Sequence, residues 1–164
     1  AAFVEDQPPL EWERCIDINL VGQFNCARLA ISPLKQSANG SIVNMSSISG
    51  RLGVATHSPY CASKWGVVGF TKSLAAETGQ HKIRVNAVLP GLVAGERLER
   101  VIVDRARALG KSYKEVREAF LAGNSLRTTV TPEEIADQIL FLCSRRARSI
   151  SGQAISVCGD LQTV

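Results

Sequence analysis

The chain has 164 residues, enough for one domain with one core, and its 45% apolar content contains no run long enough to cross a bilayer. Its net charge of +4 comes from 19 basic and 15 acidic residues that are scattered, with no basic block interleaved with aromatics, which argues against a nucleic-acid partner. The cysteines at 15, 26, 61, 143 and 158 are odd in number and lack metal-ligand spacing, so reduced thiols in a cytosol are expected, with no metal site and no membrane partner.

Residues 1–9 read as a loop ending in Pro8-Pro9. From Leu10 the apolar residues Trp12, Cys15, Ile16, Leu20, Phe24, Ala27 and Ile31 recur at helical spacing, with Pro33 expected to end or kink the helix. Asn19 sits in the middle of this pattern, where a polar residue suggests a backbone irregularity. Ser32-Pro33-Leu34-Lys35 has the Ser-x-x-Lys form of some acyl-transfer enzymes, but the companion motifs are missing.

Asn39-Gly40 marks a turn, and Ile42–Met45 a short buried strand of the parallel-sheet kind. Ser46 and Ser47 fall at its carboxyl end, where open α/β sheets bind ligands. Ser58-Pro59 opens the next helix, with Ser58 as its cap and Gly79 as its stop. Tyr60 and Lys64 are one turn apart on one face of that helix, and an ammonium beside a phenol favours its phenolate form. His57 in the preceding loop reads as a solvated residue. Trp65–Phe70 is apolar on nearly every side, which suits one face against a sheet and the other against a second subunit.

Ile83–Leu89 is the next strand, followed by Pro90-Gly91, where a glycine permits close backbone approach to a ligand. Residues 96–123 read as two helices. Leu98, Val101, Ile102, Ala106 and Leu109 mark the inner face of the first, Gly110 stops it, and Ser112-Tyr113-Lys114-Glu115 is a capping box for the second. Arg97, Arg100, Arg105 and Arg107 read as a solvated face. Thr131-Pro132-Glu133-Glu134 caps a last helix, with Ile135, Ile139, Leu140 and Cys143 expected inward, and Arg145, Arg146 and Arg148 suit its negative C-terminal end. Ile150–Val157 is the final strand.

Tyr60-x-x-x-Lys64 with Ser47 thirteen residues upstream resembles the active site of the short-chain dehydrogenase/reductase family. The context strengthens this: Asn19 in Ile18-Asn19-Leu20-Val21-Gly22, the strand leading to Ser47, and Val85-Asn86-Ala87-Val88-Leu89-Pro90-Gly91 occur in the family's order and at its intervals. The resemblance covers nearly the whole chain but only the second part of the family's domain. It implies an α/β fold, the C-terminal part of a Rossmann-like doubly wound parallel sheet, with residues 1–164 a partial domain carrying the catalytic half and a substrate lid at about 96–123. It also implies hydride transfer between NAD or NADP and a small carbonyl or alcohol substrate. Tyr60 is then the acid/base, Ser47 bonds the reacting oxygen, Lys64 tunes the tyrosine and holds the nicotinamide ribose, and Asn19 supports Lys64 through a water. Tyr60, Lys64, Pro90, Gly91 and Val93 would contact the cofactor, Val93 through its backbone. Gly95 stands where the family commonly has a threonine, and Cys158-Gly159-Asp160 where it usually has Asp-Gly-Gly. The resemblance further implies a cytoplasmic homodimer or homotetramer.

No G-x-G-x-x-G turn occurs in the chain, although a dinucleotide site needs one between its first strand and first helix. Together with a first residue that is Ala1 rather than Met, this leads us to expect the C-terminal part of a longer reductase, one that binds dinucleotide weakly by itself. The alternative from another class is a non-catalytic piece acting only through an oligomerisation surface.

Overall fold

The computed structural model describes residues 2–163. Three parallel strands lie in the order β1-β2-β3: β1 Ser41–Met45, β2 Arg84–Pro90 and β3 Ala154–Val157. β2 is central. Val85, Ala87, Val88 and Leu89 are fully buried, as expected of a strand covered on both faces. Burying each of the larger side chains contributes about 1.5–3 kcal/mol.

Strand alternation divides the core. Val85 packs with Ala27, Leu74 and Ile83 beneath α2 (Gly22–Leu34) and α3 (Ser58–Thr78). Val88 packs with Val130, Ile135 and Leu142 against α6 (Pro132–Cys143). The first helical run is one path in three parts: α1 (Pro9–Ile16), a π turn over Asp17–Val21, and α2. The Gly22 N–H reaches back five residues to the Asp17 carbonyl, the bond that defines a π turn. Pro33 lies in the last turn of α2, which runs on to Leu34. A short 3₁₀ turn over Val4–Asp6 interrupts the expected loop.

Beyond β2, α4 (Glu96–Leu109) and α5 (Tyr113–Ala122) fold against each other around Ile102, Ala106 and Val116. Gly110 ends α4 in the left-handed region, and both expected capping boxes form, at Ser112/Glu115 and Thr131/Glu134.

Several expectations need correction. Ser58 does not cap α3: it is the first helical residue, and its buried Oγ has no partner. The end of α3 is as expected, at Thr78 with Gly79 as its C-cap, and a separate 3₁₀ turn then runs to His81, with Lys82 in the left-handed conformation. The last strand begins at Ala154 rather than Ile150. Gly152 has φ 71°, and the Ile150 carbonyl accepts from Asn86 Nδ2, so the lead-in is a loop tied sideways to β2. In α6, Leu140 and Cys143 face outward and Leu142 is the buried residue. Val101 and Leu109 are likewise largely exposed.

A buried cation closes the far end of the sheet. Arg84 sits on the same face of β2 as Val88 and donates to the carbonyls of Leu142, Ala147 and Ser144, meeting the negative end of α6. The flanking Arg145, Arg146 and Arg148 stay exposed. We therefore expect Arg84→Met to cost about 2–3 kcal/mol, because several buried acceptors lose their donors. Urea unfolding measures this, and a loss below ~0.5 kcal/mol, typical of a neutral surface change, would contradict it.

Candidate active site

The site gathers where β1 ends. Tyr60 is the third residue of α3, and Lys64 lies one turn on, its Nζ 5.6 Å from the Tyr60 ring centroid. Lys64 is only 8% exposed. Its ammonium donates to the carbonyl of Met45, the last residue of β1, at 3.1 Å. Burial pushes its pKa below the ordinary lysine value, partly offset by the Cys15 thiol nearby.

The two serines divide their work. Ser46 is buried and its hydroxyl donates to the Lys64 carbonyl at 2.8 Å, tying the strand end to α3. Ser47 is half-buried and caps the short 3₁₀ turn Ile48–Gly50, its Oγ accepting from the Ser49 N–H at 3.2 Å. That leaves the Ser47 hydroxyl proton free to donate elsewhere. Gly50 makes the junction possible: a Cβ there would lie 2.5 Å from Ser46 Oγ and 2.8 Å from the Lys64 carbonyl oxygen.

Asn19 occupies the π turn, the kind of irregularity expected of it. Its Nδ2 donates to the Cys15 carbonyl at 3.0 Å and approaches Cys15 Sγ at 3.5 Å. Its Oδ1 has no hydrogen-bond partner among the described residues. The turn meets α3 through Leu20, whose Cδ2 would lie 2.8 Å from a Cβ at Gly66. Asn19 thus reaches the lysine's surroundings by way of Cys15.

After β2, the Gly91 N–H donates to the Val157 carbonyl, and a Cβ at Gly91 would meet Cys158 at 2.6 Å. The glycine's freedom is spent on the end of β3. Leu92 and Ala94 bond to Val130 on either side of Val93. The N–H and C=O of Val93 itself make no hydrogen bond among the described residues. Gly95 has φ 143°, a conformation that is essentially restricted to glycine, which accounts for the missing threonine. Pro90 closes β2 in register with Val157. His57 is exposed, its ring bonded to the Ala55 carbonyl.

Two clefts, of about 140 and 280 Å³, open between α4, α5 and the loop after β2. Ser47, Tyr60 and Lys64 line neither. Arg105 and Lys111 flank the larger, with the Arg105 guanidinium 5.3 Å from the Phe120 ring centroid.

Sequence reasoning missed Gln23, Cys15, Gly50 and the Met45 carbonyl. Gln23 carried one signal, its position four residues after Asn19. The others act through backbone or close packing, which a sequence does not display.

A family model described as enoyl-(acyl carrier protein) reductase matches residues 2–160. The chain belongs to the short-chain dehydrogenase/reductase family. It is 34% identical to a D-beta-hydroxybutyrate dehydrogenase of Rhizobium meliloti, over 95% of this chain and 61% of that protein. Sorbitol-6-phosphate 2-dehydrogenase from Erwinia amylovora superposes with a TM-score of 0.91 at 27% identity, covering 100% of this chain and 64% of that one. Actinorhodin polyketide ketoreductase, in a structure with NADPH, gives 0.90 at 31% identity, covering 99% and 63%. The chain spans about 60% of the length of the dehydrogenases and reductases it matches. Among the described residues, no helix of this family member is long and apolar enough to cross a membrane.

The buried lysine carries a stability cost with a pH signature. Its pKa is lower folded than unfolded, so the folded protein holds that proton less tightly. The penalty is complete below the folded pKa and is relieved as pH rises toward the unfolded value, ~10.4. Lys64→Met should therefore raise the urea midpoint at pH 7, with the advantage shrinking toward pH 10. A variant less stable at pH 7, or a gap independent of pH, would show that burial does not dominate.

Proposed function

We propose that the protein carrying this chain is an NAD(P)-dependent oxidoreductase that interconverts a carbonyl and an alcohol on a small molecule. The observation that carries the reading is the buried Lys64 ammonium, held on the Met45 carbonyl beside the Tyr60 ring.

Tyr60 is the residue we assign to proton transfer at the substrate oxygen, with the Lys64 ammonium beside its ring. Ser47 donates its free hydroxyl proton to the same oxygen and stabilises the charge that develops there. Asn19, with Nδ2 spent on Cys15 and Oδ1 open, is suited to hold a water toward Lys64. The residues fit the nicotinamide end of a dinucleotide. Val93 offers an unpaired N–H and C=O in one residue, the complement of a carboxamide, between Pro90-Gly91 and Gly95 at the strand ends. Lys64 supplies a cation for ribose hydroxyls. When bound, the nicotinamide supplies or accepts the hydride.

We further assign residues 1–164 to one partial domain, with α4 and α5 as its substrate lid, consistent with the clefts between them. A homodimer or homotetramer is the assembly we favour, since Trp65 on the outer face of α3 is 52% exposed.

In the full-length protein, Tyr60→Phe should lower turnover by at least ~10² while cofactor affinity stays nearly unchanged, the scale of a positioned acid/base. Steady-state kinetics on a matched carbonyl substrate check this. Near wild-type turnover would remove Tyr60 from the chemistry.

A further inference from the structure

We propose that the larger lid cleft receives the charged end of the substrate, with Arg105 as the specificity-determining residue: the carbonyl or alcohol compound carries a carboxylate or a phosphate monoester at the end of a short apolar body. The inference rests on the reading of Tyr60 and Ser47 given above.

The arginines of α4 are not equivalent. Arg107 pairs with Asp104 at 4.0 Å, and Arg100 Nε donates to the Glu96 carbonyl at 3.4 Å. Arg97 lines neither cleft. Arg105 follows the buried Ile102 by three positions, which turns it toward α5. Its guanidinium lies over the Phe120 ring at 5.3 Å, an apolar support that leaves its N–H donors unused. Among the described residues no carboxylate lies within ion-pair distance of it.

The charges of this cleft do not cancel. Lys111 and Glu115 also line it. Glu115 is committed to the start of α5: its Oε2 accepts from the Ser112 hydroxyl at 2.7 Å and from the Ser112 N–H at 2.8 Å, bonds that hold its pKa below the ordinary carboxylate value. Lys111 offsets that anion, and Arg105 remains in excess. The smaller cleft differs. It holds Glu99 and Arg117, one charge of each sign, and the Tyr113 hydroxyl already donates to Glu99.

A guanidinium with free donors binds a compact oxyanion through two N–H groups at once. The rest of the cleft is largely apolar, with Val116 and Phe120 of α5 on one side and Leu92 and Leu161 on the other. Leu92 and Leu161 also pack with Ile48, the residue after Ser47. One layer of apolar side chains therefore links the cleft to the serine assigned to the reacting oxygen. The volume, about 280 Å³, is near the lower limit of ligand pockets, roughly 300 Å³, which suits a short body between the oxyanion and the reacting carbon.

The full-length protein is titrated with butanoate, butyl phosphate and butanamide, alkyl probes that differ in their end group. NMR follows the Arg105 Nε–H and the Phe120 ring. We expect the anions to shift both signals and to bind about ten- to a hundredfold more tightly than the amide, the scale of a charge-assisted hydrogen bond. Arg105→Met, which keeps bulk over Phe120 and helix propensity, should abolish that preference, and Arg105→Lys should keep part of it. The tighter of the two anions identifies the end group. It should also compete with a matched carbonyl substrate, whose KM should rise in Arg105→Met while kcat stays within twofold of wild type. No saturable binding of either anion, equal affinity for acid and amide, a preference that survives in Arg105→Met, or noncompetitive inhibition overturns the proposal. Binding is read without turnover, so those results leave the assignment of Tyr60 standing; full turnover in Tyr60→Phe instead brings down the reading beneath.

Discussion

The peptide of Met45 is the point on which the site depends. β1 ends there, and the main-chain groups of that residue face away from β2. They find Gln23 and Lys64. Because the lysine is thereby drawn in under the strand end, the tyrosine one turn before it is brought to the same place. Ser46 then locks the arrangement from the other side by bonding the Lys64 carbonyl, across a gap that only glycine at position 50 leaves open. Strand end and helix are thereby tied together, and Ser47 caps the short 3₁₀ turn that follows β1.

This organisation is costly in stability. A charge is held in a largely dry place, opposed by its own desolvation. The chain compensates elsewhere, in a central strand buried on both faces and an arginine that closes the end of α6. Proteins commonly keep such an unfavourable group where function needs it, so that loss of the group stabilises the fold and removes the activity.

Much of this was legible in the residues. The run from Ile83 to Leu89, the two capping boxes and the four-residue spacing of Tyr60 and Lys64 are local signals, and each corresponds to a formed element or a shared helix face. What was not legible depends on tertiary context. Asn19 pointed to an irregularity in the first helix, but that it is a π turn over Asp17–Val21 did not show in the apolar spacing. Ser58 had the composition of a cap, but the chain enters α3 from His57 and the hydroxyl is shut inside. Leu140 and Leu142 are equally apolar, and only the docking angle of α6 decides which is covered. The close packing of Cys158 against Gly91 had no signal in the residues around either position. The Gln23 contact joins residues 22 positions apart through a main-chain carbonyl, a connection with no side-chain signature at the far end.

The central claim is that Lys64 is a buried cation suspended between the Met45 carbonyl and the Tyr60 ring. Site-resolved NMR titration of the full-length protein with labelled lysine, the signal assigned through Lys64→Arg, measures this directly. Lys64 should titrate below the ordinary lysine value of ~10.4. Titration at the ordinary value would mean that the ammonium lies in solvent and that the site is not built as described.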